Sequence, residues 1–486
     1  MSNTISSLEP TALWKNFSDL NAVPRPSKKE ERVIKFMQDF GARLGLPTKT
    51  DKVGNVLISK PATPGMENRK RVVLQSHLDM VHQKNNDTVF DFDAEGIKMY
   101  IDGDWVKAEG TTLGADNGIG VATIMALLES TDIPHPAIEG FFTIDEETGM
   151  TGALGLEGGF LESDILLNLD TEDDDELTIG CAGGVNVSGK AFYDEAEMNQ
   201  NFNSIQLTLN GLSGGHSGMD IIKGLGNANK LMNRFMNELM NCVNFCIIEI
   251  EGGGLRNAIP RESNAIIGIA KKDMIVFDEV KAKFIEEVSS EHKVTDPNLS
   301  FTTKEIDHRW KGASIESSKK LIKAIYAVPN GIYRMSPSIG GLVQTSNNLS
   351  QISMKAGEAN IFCLCRSSVD SEKYDEVETI SAALSIINAE VSLGANYPGW
   401  TPEPSSAIVS LMSDLYVEMF KEKAHVMACH AGLECGLIGT NYPDLDMVSF
   451  GPNIRGAHSP DEKVQISSVQ KFWDFFLETL KRIPEA

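Results

Sequence analysis

Arg71-Val72-Val73-Leu74-Gln75-Ser76-His77-Leu78-Asp79-Met80-Val81 is the stretch from which the rest of the chain can be read. Its first seven residues read as a short strand buried in a parallel sheet, and its end turns polar. Side chains alternate along a strand, so His77 and Asp79 point the same way. Asp79 can then hold one ring nitrogen of His77 while the other faces a metal ion, the arrangement ligating histidines usually need. A polar strand end without metal is the alternative. Similar strands are expected at 140–144 and 164–169, with an apolar helix over 119–128 between the first strand and these two. Strands alternating with helices predict an α/β layer structure. Two helices with apolar residues at three- and four-residue spacing, 8–20 and 28–44, come before.

After Gly183-Gly184 the texture changes. Segments 204–209, 247–250 and 265–269 alternate apolar and polar, as in a sheet with one wet face. A further strand is expected at 360–365, with helices at 227–240, 278–288, 317–326 and 374–387; two related α+β units in tandem would account for this layout. Gly394-Ala395-Asn396-Tyr397-Pro398-Gly399 reads as a crossing linker. Beyond it come a helix at 408–420, a strand and helix near 424–437, a strand at 447–450 and a last helix reaching 480. At 486 residues the chain exceeds one ordinary core. The economical division is a catalytic domain, 1–184 and 397–486, interrupted by an inserted domain, 185–396.

Charge narrows the function. Lys+Arg number 44 against 68 Asp+Glu, a formal net charge of -24, which repels phosphate backbones and anionic lipid. Neither nucleic acid nor a membrane is an expected partner. Residues 1–17 carry no basic region followed by an apolar run, so no secretory signal is expected. Seven cysteines, an odd number thinly spread, suggest reduced thiols and a cytoplasmic protein. Cys242/Cys246 and Cys363/Cys365 lack the spacing of a zinc knuckle and read as small apolar residues in strands.

Polar groups gather where the apolar runs stop. Asp116 lies in the glycine-rich turn Gly114-Ala115-Asp116-Asn117-Gly118 before the apolar helix. It could be a helix cap, or its two oxygens could bridge two metal ions. Asp145-Glu146-Glu147 ends a strand; three adjacent carboxylates suit either a solvated turn or a bound dication, with one glutamate left free as a base. Asp170 follows the strand at 164–169, and Gly456-Ala457-His458-Ser459-Pro460 follows the strand at 447–450. Two imidazoles and several carboxylates at the carboxyl edge of a parallel sheet make a set that suits zinc.

In this order the segments closely resemble the aminoacylase/carboxypeptidase-type di-zinc metallopeptidase family, over essentially the full chain and most like its dipeptidases. The fold this implies is α/β, a catalytic domain with a mixed sheet flanked by helices, interrupted by an α+β lid and dimerisation domain. The resemblance implies that His77, Asp116 and Asp170 hold one zinc ion and Asp116, Glu147 and His458 a second. It implies that Asp79 orients His77, that Glu146 is the general base, and that a cis peptide follows Asp116. Two zinc ions per subunit are the implied cofactors, with cobalt or manganese able to substitute. Unblocked dipeptides, aminoacyl-histidine and β-alanyl-histidine among them, are the implied substrates, and a homodimer the implied assembly.

In the insert, His216 matches a family histidine on the substrate's carbonyl oxygen. Asn257 and Arg366 match positions gripping the substrate carboxylate, which suits the planar fork of arginine. Gly432, in His430-Ala431-Gly432-Leu433-Glu434, matches a substrate-lining loop. Read without the family pattern, these are a surface histidine, a turn asparagine and an exposed arginine. An N-acyl amino acid amidohydrolase on the same scaffold is one alternative. A serine hydrolase using Ser213, in Gly211-Leu212-Ser213-Gly214-Gly215, is another. His82, His135, His292, His308 and His425 match no motif.

Overall fold

The computed structural model describes residues 4–198, 201–307 and 311–486, so His308 lies outside the described residues. The chain forms two compact units. One comprises Met1–Gly180, Pro402–Ala428 and Leu433–Ala486; the other comprises Cys181–Thr401 and Cys429–Gly432. The changeovers fall within a few residues of 184/185 and 396/397. The short segment Cys429–Gly432 goes with the insert, whereas the expected division puts it in the catalytic part.

The first unit is built on an eight-stranded sheet. Its order is Thr48–Thr50, Val56–Lys60, Ile138–Thr143, Val72–His77, Ile165–Asn168, Asp446–Ser449, Glu176–Cys181, His425–Cys429. The four strands from Ile138–Thr143 to Asp446–Ser449 run parallel. Val56–Lys60 and Glu176–Cys181 flank them antiparallel, making the sheet mixed. Every residue of Val72–His77 and Ile138–Thr143 is buried, as continuous apolar runs require of strands covered on both faces. Helix Ala115–Glu129 packs on these two strands. Its Gly120 lets it come close: a Cβ there would lie 2.4 Å from Ser76 Oγ and 2.8 Å from the Leu169 carbonyl oxygen. Three adjacent parallel strands thus end at His77, Thr143 and Asn168 along one edge of the sheet, where α/β proteins place their ligands.

Among the described residues the second unit has a nine-stranded sheet, antiparallel throughout. Residues 202–306 run strand Phe202–Asn210, helix Ala228–Cys242, strands Phe245–Gly252 and Ser263–Ala270, helix Met274–Glu291, strand Ser300–Ile306. Their order in the sheet is fourth, first, third, second, a split βαββαβ unit. A second such unit is made of Gly183–Phe192, helix Ile315–Ala327, Val343–Lys355, Glu358–Ser367, helix Asp370–Leu384 and Glu390–Tyr397, with the mirrored order. The strand Gly331–Met335 pairs with Val343–Lys355 as an addition. The two units are nested, not in tandem: the first lies between the opening strand and opening helix of the second. They join where Phe245–Gly252 pairs with the end of Val343–Lys355. The four helices pack side by side in the order Met274–Glu291, Ala228–Cys242, Ile315–Ala327, Asp370–Leu384, over one continuous core that includes Phe235, Phe284, Leu349 and Ile380.

The expected linker at 394–399 is a correction. Glu390–Tyr397 is a strand paired with Gly183–Phe192, Tyr397 opposite Gly184, with a register shift after Gly394. Tyr397 needs a glycine opposite it: a Cβ on Gly184 would stand 2.6 Å from the Tyr397 hydroxyl oxygen.

Candidate active site

The carboxyl edge of the parallel strands gathers all the expected ligating groups in the first unit. His77 closes its strand. Asp116 sits one residue into a turn opened by Gly114 in the left-handed region (φ 69°), with a cis peptide between Asp116 and Asn117. Glu146 and Glu147 open the short helix after Ile138–Thr143, and Asp170 follows Ile165–Asn168. His458 has φ 63°, a conformation non-glycine residues rarely take and one that clusters at functional sites.

Asp116 turns one oxygen to each imidazole. His77 Nε2 lies 3.1 Å from its Oδ1 and 3.5 Å from Asp170 Oδ1. His458 Nε2 lies 3.2 Å from its Oδ2 and 2.9 Å from Glu147 Oε2. In each of the trios His77/Asp116/Asp170 and Asp116/Glu147/His458 the donor atoms lie within 4.8 Å of one another, and His77, Glu146 and Glu147 form a third. Ligand atoms about 2.0–2.1 Å from a tetrahedral ion stand roughly 3.3 Å apart, and the separations above bracket that spacing. Glu147 Oε1 is buried without a partner. The donor set therefore fits two divalent ions sharing Asp116.

Asp79 lies behind His77. Its Oδ1 is 3.4 Å from His77 Nδ1, which is also 3.2 Å from the Asp79 carbonyl oxygen. The carboxylate further accepts from the backbone N–H groups of Glu146 (3.0 Å) and Glu147 (3.3 Å) and from Ser27 Oγ (2.8 Å). Burial pushes its pKa up, but these donors outweigh burial and hold it below the usual range. Asp79 thereby fixes both the ring of one histidine and the turn that presents the two glutamates.

In the second unit, Gly215–His216 pairs with Ala258–Ile259, and Ser217 N donates to the Asn257 carbonyl (2.8 Å). His216 Nδ1 accepts from the N–H groups of Gly218 (3.2 Å) and Met219 (3.0 Å). Burial and the Arg366 charge hold its pKa down, so the ring is neutral. Its one proton then sits on Nε2, a donor suited to a developing oxyanion. Arg366 is 5% exposed and donates from Nη1 to the Tyr397 hydroxyl (3.0 Å). It is a buried arginine, not an exposed one. Asn257 is exposed, and Gly432 closes Cys429–Gly432. The Ser213 hydroxyl donates to the Thr295 carbonyl (2.7 Å) instead of to an imidazole, so it lacks a base.

Comparison with known proteins identifies the scaffold. The profile of Peptidase family M20/M25/M40 matches residues 73–482. The chain belongs to this peptidase family. It is 42% identical over 480 residues to the cytosol non-specific dipeptidase of Escherichia coli (strain K12), covering 99% of each chain. Its structure is similar to the crystal structure of aminoacylhistidine dipeptidase from Vibrio alginolyticus, with a TM-score of 0.95 and 42% identity, covering 100% of this chain and 99% of that one. An aminopeptidase of Bacillus cereus shares the fold at 14% identity and a TM-score of 0.57, covering 98% and 99%.

As an M20/M25/M40 peptidase the chain uses divalent metal, and its ligand turns are braced by residues that carry no motif. The fully buried Arg25 donates to the carbonyls of Leu78 (3.0 Å), Asp79 (3.0 Å) and Gly114 (2.6 Å), tying the Asp79 segment to the Asp116 turn. Glu462 accepts from four successive backbone N–H groups, Leu113 to Asp116, at 2.7–3.2 Å. It lies four residues after His458, so one loop supplies a candidate ligand and clamps the turn that aims another. Glu462→Gln places an amide against those N–H groups. It is expected to weaken metal binding about 10–100-fold, as losses behind a ligand do; chelator competition measures this, and unchanged affinity would remove the clamp from the account. Neither residue was visible in sequence, since Glu462 acts 349 positions from Leu113.

Several carboxyls here are held above their ordinary range. Burial, with Asp116 and Asp170 close by, pushes Glu172 up to about 8. Burial takes Glu434 to about 8 and Glu462 to about 7. His458 rises to about 11 through its bonds to Asp116 and Glu147. Groups with raised values bind more protons folded than unfolded, so their stabilisation is full at low pH and lost as pH climbs. The metal-free chain is expected to melt at progressively lower temperature from about pH 5 to pH 9, and added metal to reverse the trend by replacing those protons. Melting curves across pH with and without zinc test this; a metal-free chain that grows more stable toward pH 9 contradicts it.

Proposed function

We propose that the chain is a cytoplasmic metallo-dipeptidase hydrolysing the peptide bond of unblocked dipeptides with broad side-chain tolerance, aminoacyl-histidine and β-alanyl-histidine included. The observation that carries this is Asp116, with one oxygen toward each of two imidazoles at the carboxyl edge of the sheet. The likeness in sequence to a relative named as a non-specific dipeptidase supports the choice of substrate. Two zinc ions are the proposed cofactors, with cobalt or manganese able to substitute: His77, Asp116 and Asp170 would hold one, and Asp116, Glu147 and His458 the other. When bound, the ions supply Lewis acidity that makes a water acidic and polarises the scissile carbonyl.

Glu146 takes the proton from the attacking water and hands it to the leaving amine nitrogen. Asp79 keeps His77 in one orientation throughout. His216 donates from Nε2 to the oxygen of the scissile carbonyl as charge gathers there, and Arg366 and Asn257 hold the terminal carboxylate, which limits the substrate to short peptides. The inserted unit acts as a lid and as the contact of a homodimer. Metal analysis paired with a substrate panel is the test. Two zinc ions per chain and turnover of dipeptides are expected; cleavage of N-acyl amino acids with dipeptides untouched would refute the assignment.

A further inference from the structure

The segment Cys429–Gly432 is drawn into the second unit, where the Ala182 N–H donates to the carbonyls of both Cys429 (3.1 Å) and Ala431 (3.0 Å). This sets His430 deep in the unit at 6% exposure, beside Arg366. Burial and the Arg366 charge take its pKa down to about 3, so the ring is neutral and one nitrogen carries the proton. Nε2 lies 2.7 Å from Ser346 Oγ, and Ser346 is the cross-strand partner of Arg366. With the hydroxyl donating to Nε2, the proton sits on Nδ1; the opposite tautomer would leave both the hydroxyl hydrogen and Nδ1 unused. Nδ1 of His430 and Nε of Arg366 are both buried and unpartnered. Among the described residues no carboxylate pairs with Arg366, and a buried guanidinium without a counter-charge is costly. Gly218 packs against all three groups: a Cβ there would lie 2.2 Å from the His430 carbonyl oxygen, 3.1 Å from His216 Cε1 and 3.2 Å from Arg366 Nε, so the missing side chain is what lets them lie this close together. Two unused donors and an unbalanced positive charge call for a ligand group with two acceptor oxygens and a negative charge.

We propose that His430 contacts the substrate, its Nδ1–H and the Nε–H of Arg366 forming one grip on the terminal carboxylate and setting the preference for a free acid over an amide. This rests on the reading of Arg366 as the carboxylate anchor. Ser346 acts through His430 as a positioning residue. A carboxamide cannot satisfy this grip, because its nitrogen brings hydrogens toward donors.

The test compares kcat and KM for a dipeptide and for its C-terminal amide. His430→Phe is expected to raise KM for the dipeptide about 10-fold or more, the worth of a hydrogen bond to a charged group, with kcat little changed. The acid-over-amide preference should narrow by the same factor. His430→Asn, whose amide nitrogen stands near the position of Nδ1, should recover most of the loss. His430→Gln, which reaches only toward Ser346, should not. Ser346→Ala should shift KM in the same direction by less. Wild-type KM and preference in the Phe and Gln variants, with both altered in Arg366→Met, would overturn the role of His430 alone. An unaltered preference in Arg366→Met would instead overturn the anchor, and the inference with it. Should the Phe variant fail to fold, equal KM values for the Asn and Gln variants would count against the proposal.

Discussion

Glu146→Gln is expected to keep its metal and lose turnover by about 10²–10⁴-fold, the range a positioned general base supplies. The backbone of Glu146 is fixed by its N–H bond to Asp79, which the substitution leaves alone. Burial first, then the charges of Asp170, Glu434 and Glu147, hold its carboxyl well above the usual range against the pull of His77. That is the direction a base needs to take a proton near neutral pH. The amide is the same size but takes no proton. Metal content and kcat measured on one preparation decide the matter: an active variant with full metal would show that another group moves the proton.

Arg366→Met is the second large effect, and its sign differs between activity and stability. Losing one partner of a buried charged pair costs roughly 2–5 kcal/mol, so kcat/KM should fall by a factor of about 30 to several thousand. Without substrate the same guanidinium is buried and lacks a counter-ion, so a methionine of similar length should leave the melting temperature unchanged or raise it. Residues selected for binding often carry such a cost. A melting temperature that drops by many degrees while activity on dipeptides survives would mean that Arg366 serves packing and not substrate.

Much of the first unit could be read from residues 71–81 because a strand covered on both faces has to be apolar almost throughout. Most of the candidate ligands end or follow such strands, Asp116 opening the helix Ala115–Glu129 instead, and the structure brings His77, Asp116, Glu147, Asp170 and His458 together. What pattern reading missed is polar and buried. Val343–Lys355 is a thirteen-residue strand, yet Thr345, Ser346, Asn347 and Asn348 in its covered part look like loop residues. They are satisfied by long-range bonds, such as that of Asn347 to the Pro329 carbonyl, which no local periodicity records. Gly394 to Tyr397 looked like a linker because its partner strand begins with glycines, so its pairing depends on close approach and not on apolar alternation. Arg25 and Glu462 escaped because their partners lie far off in sequence, and the loop of His430 was read through Gly432 without a part for the imidazole, whose partner Ser346 is 84 positions away.

The nesting of the two βαββαβ units bears on synthesis at the ribosome. Strand Gly183–Phe192 pairs on one side with Glu358–Ser367 and on the other with Glu390–Tyr397. Its earlier neighbour thus emerges about 165 residues after it, a wait of roughly ten to thirty seconds at ordinary translation speeds. The inner unit meanwhile emerges with all its partners and can close on its own. For that interval the nascent chain carries a half-apolar strand with both edges bare, a ready substrate for chaperones and for mispairing between neighbouring polysomes.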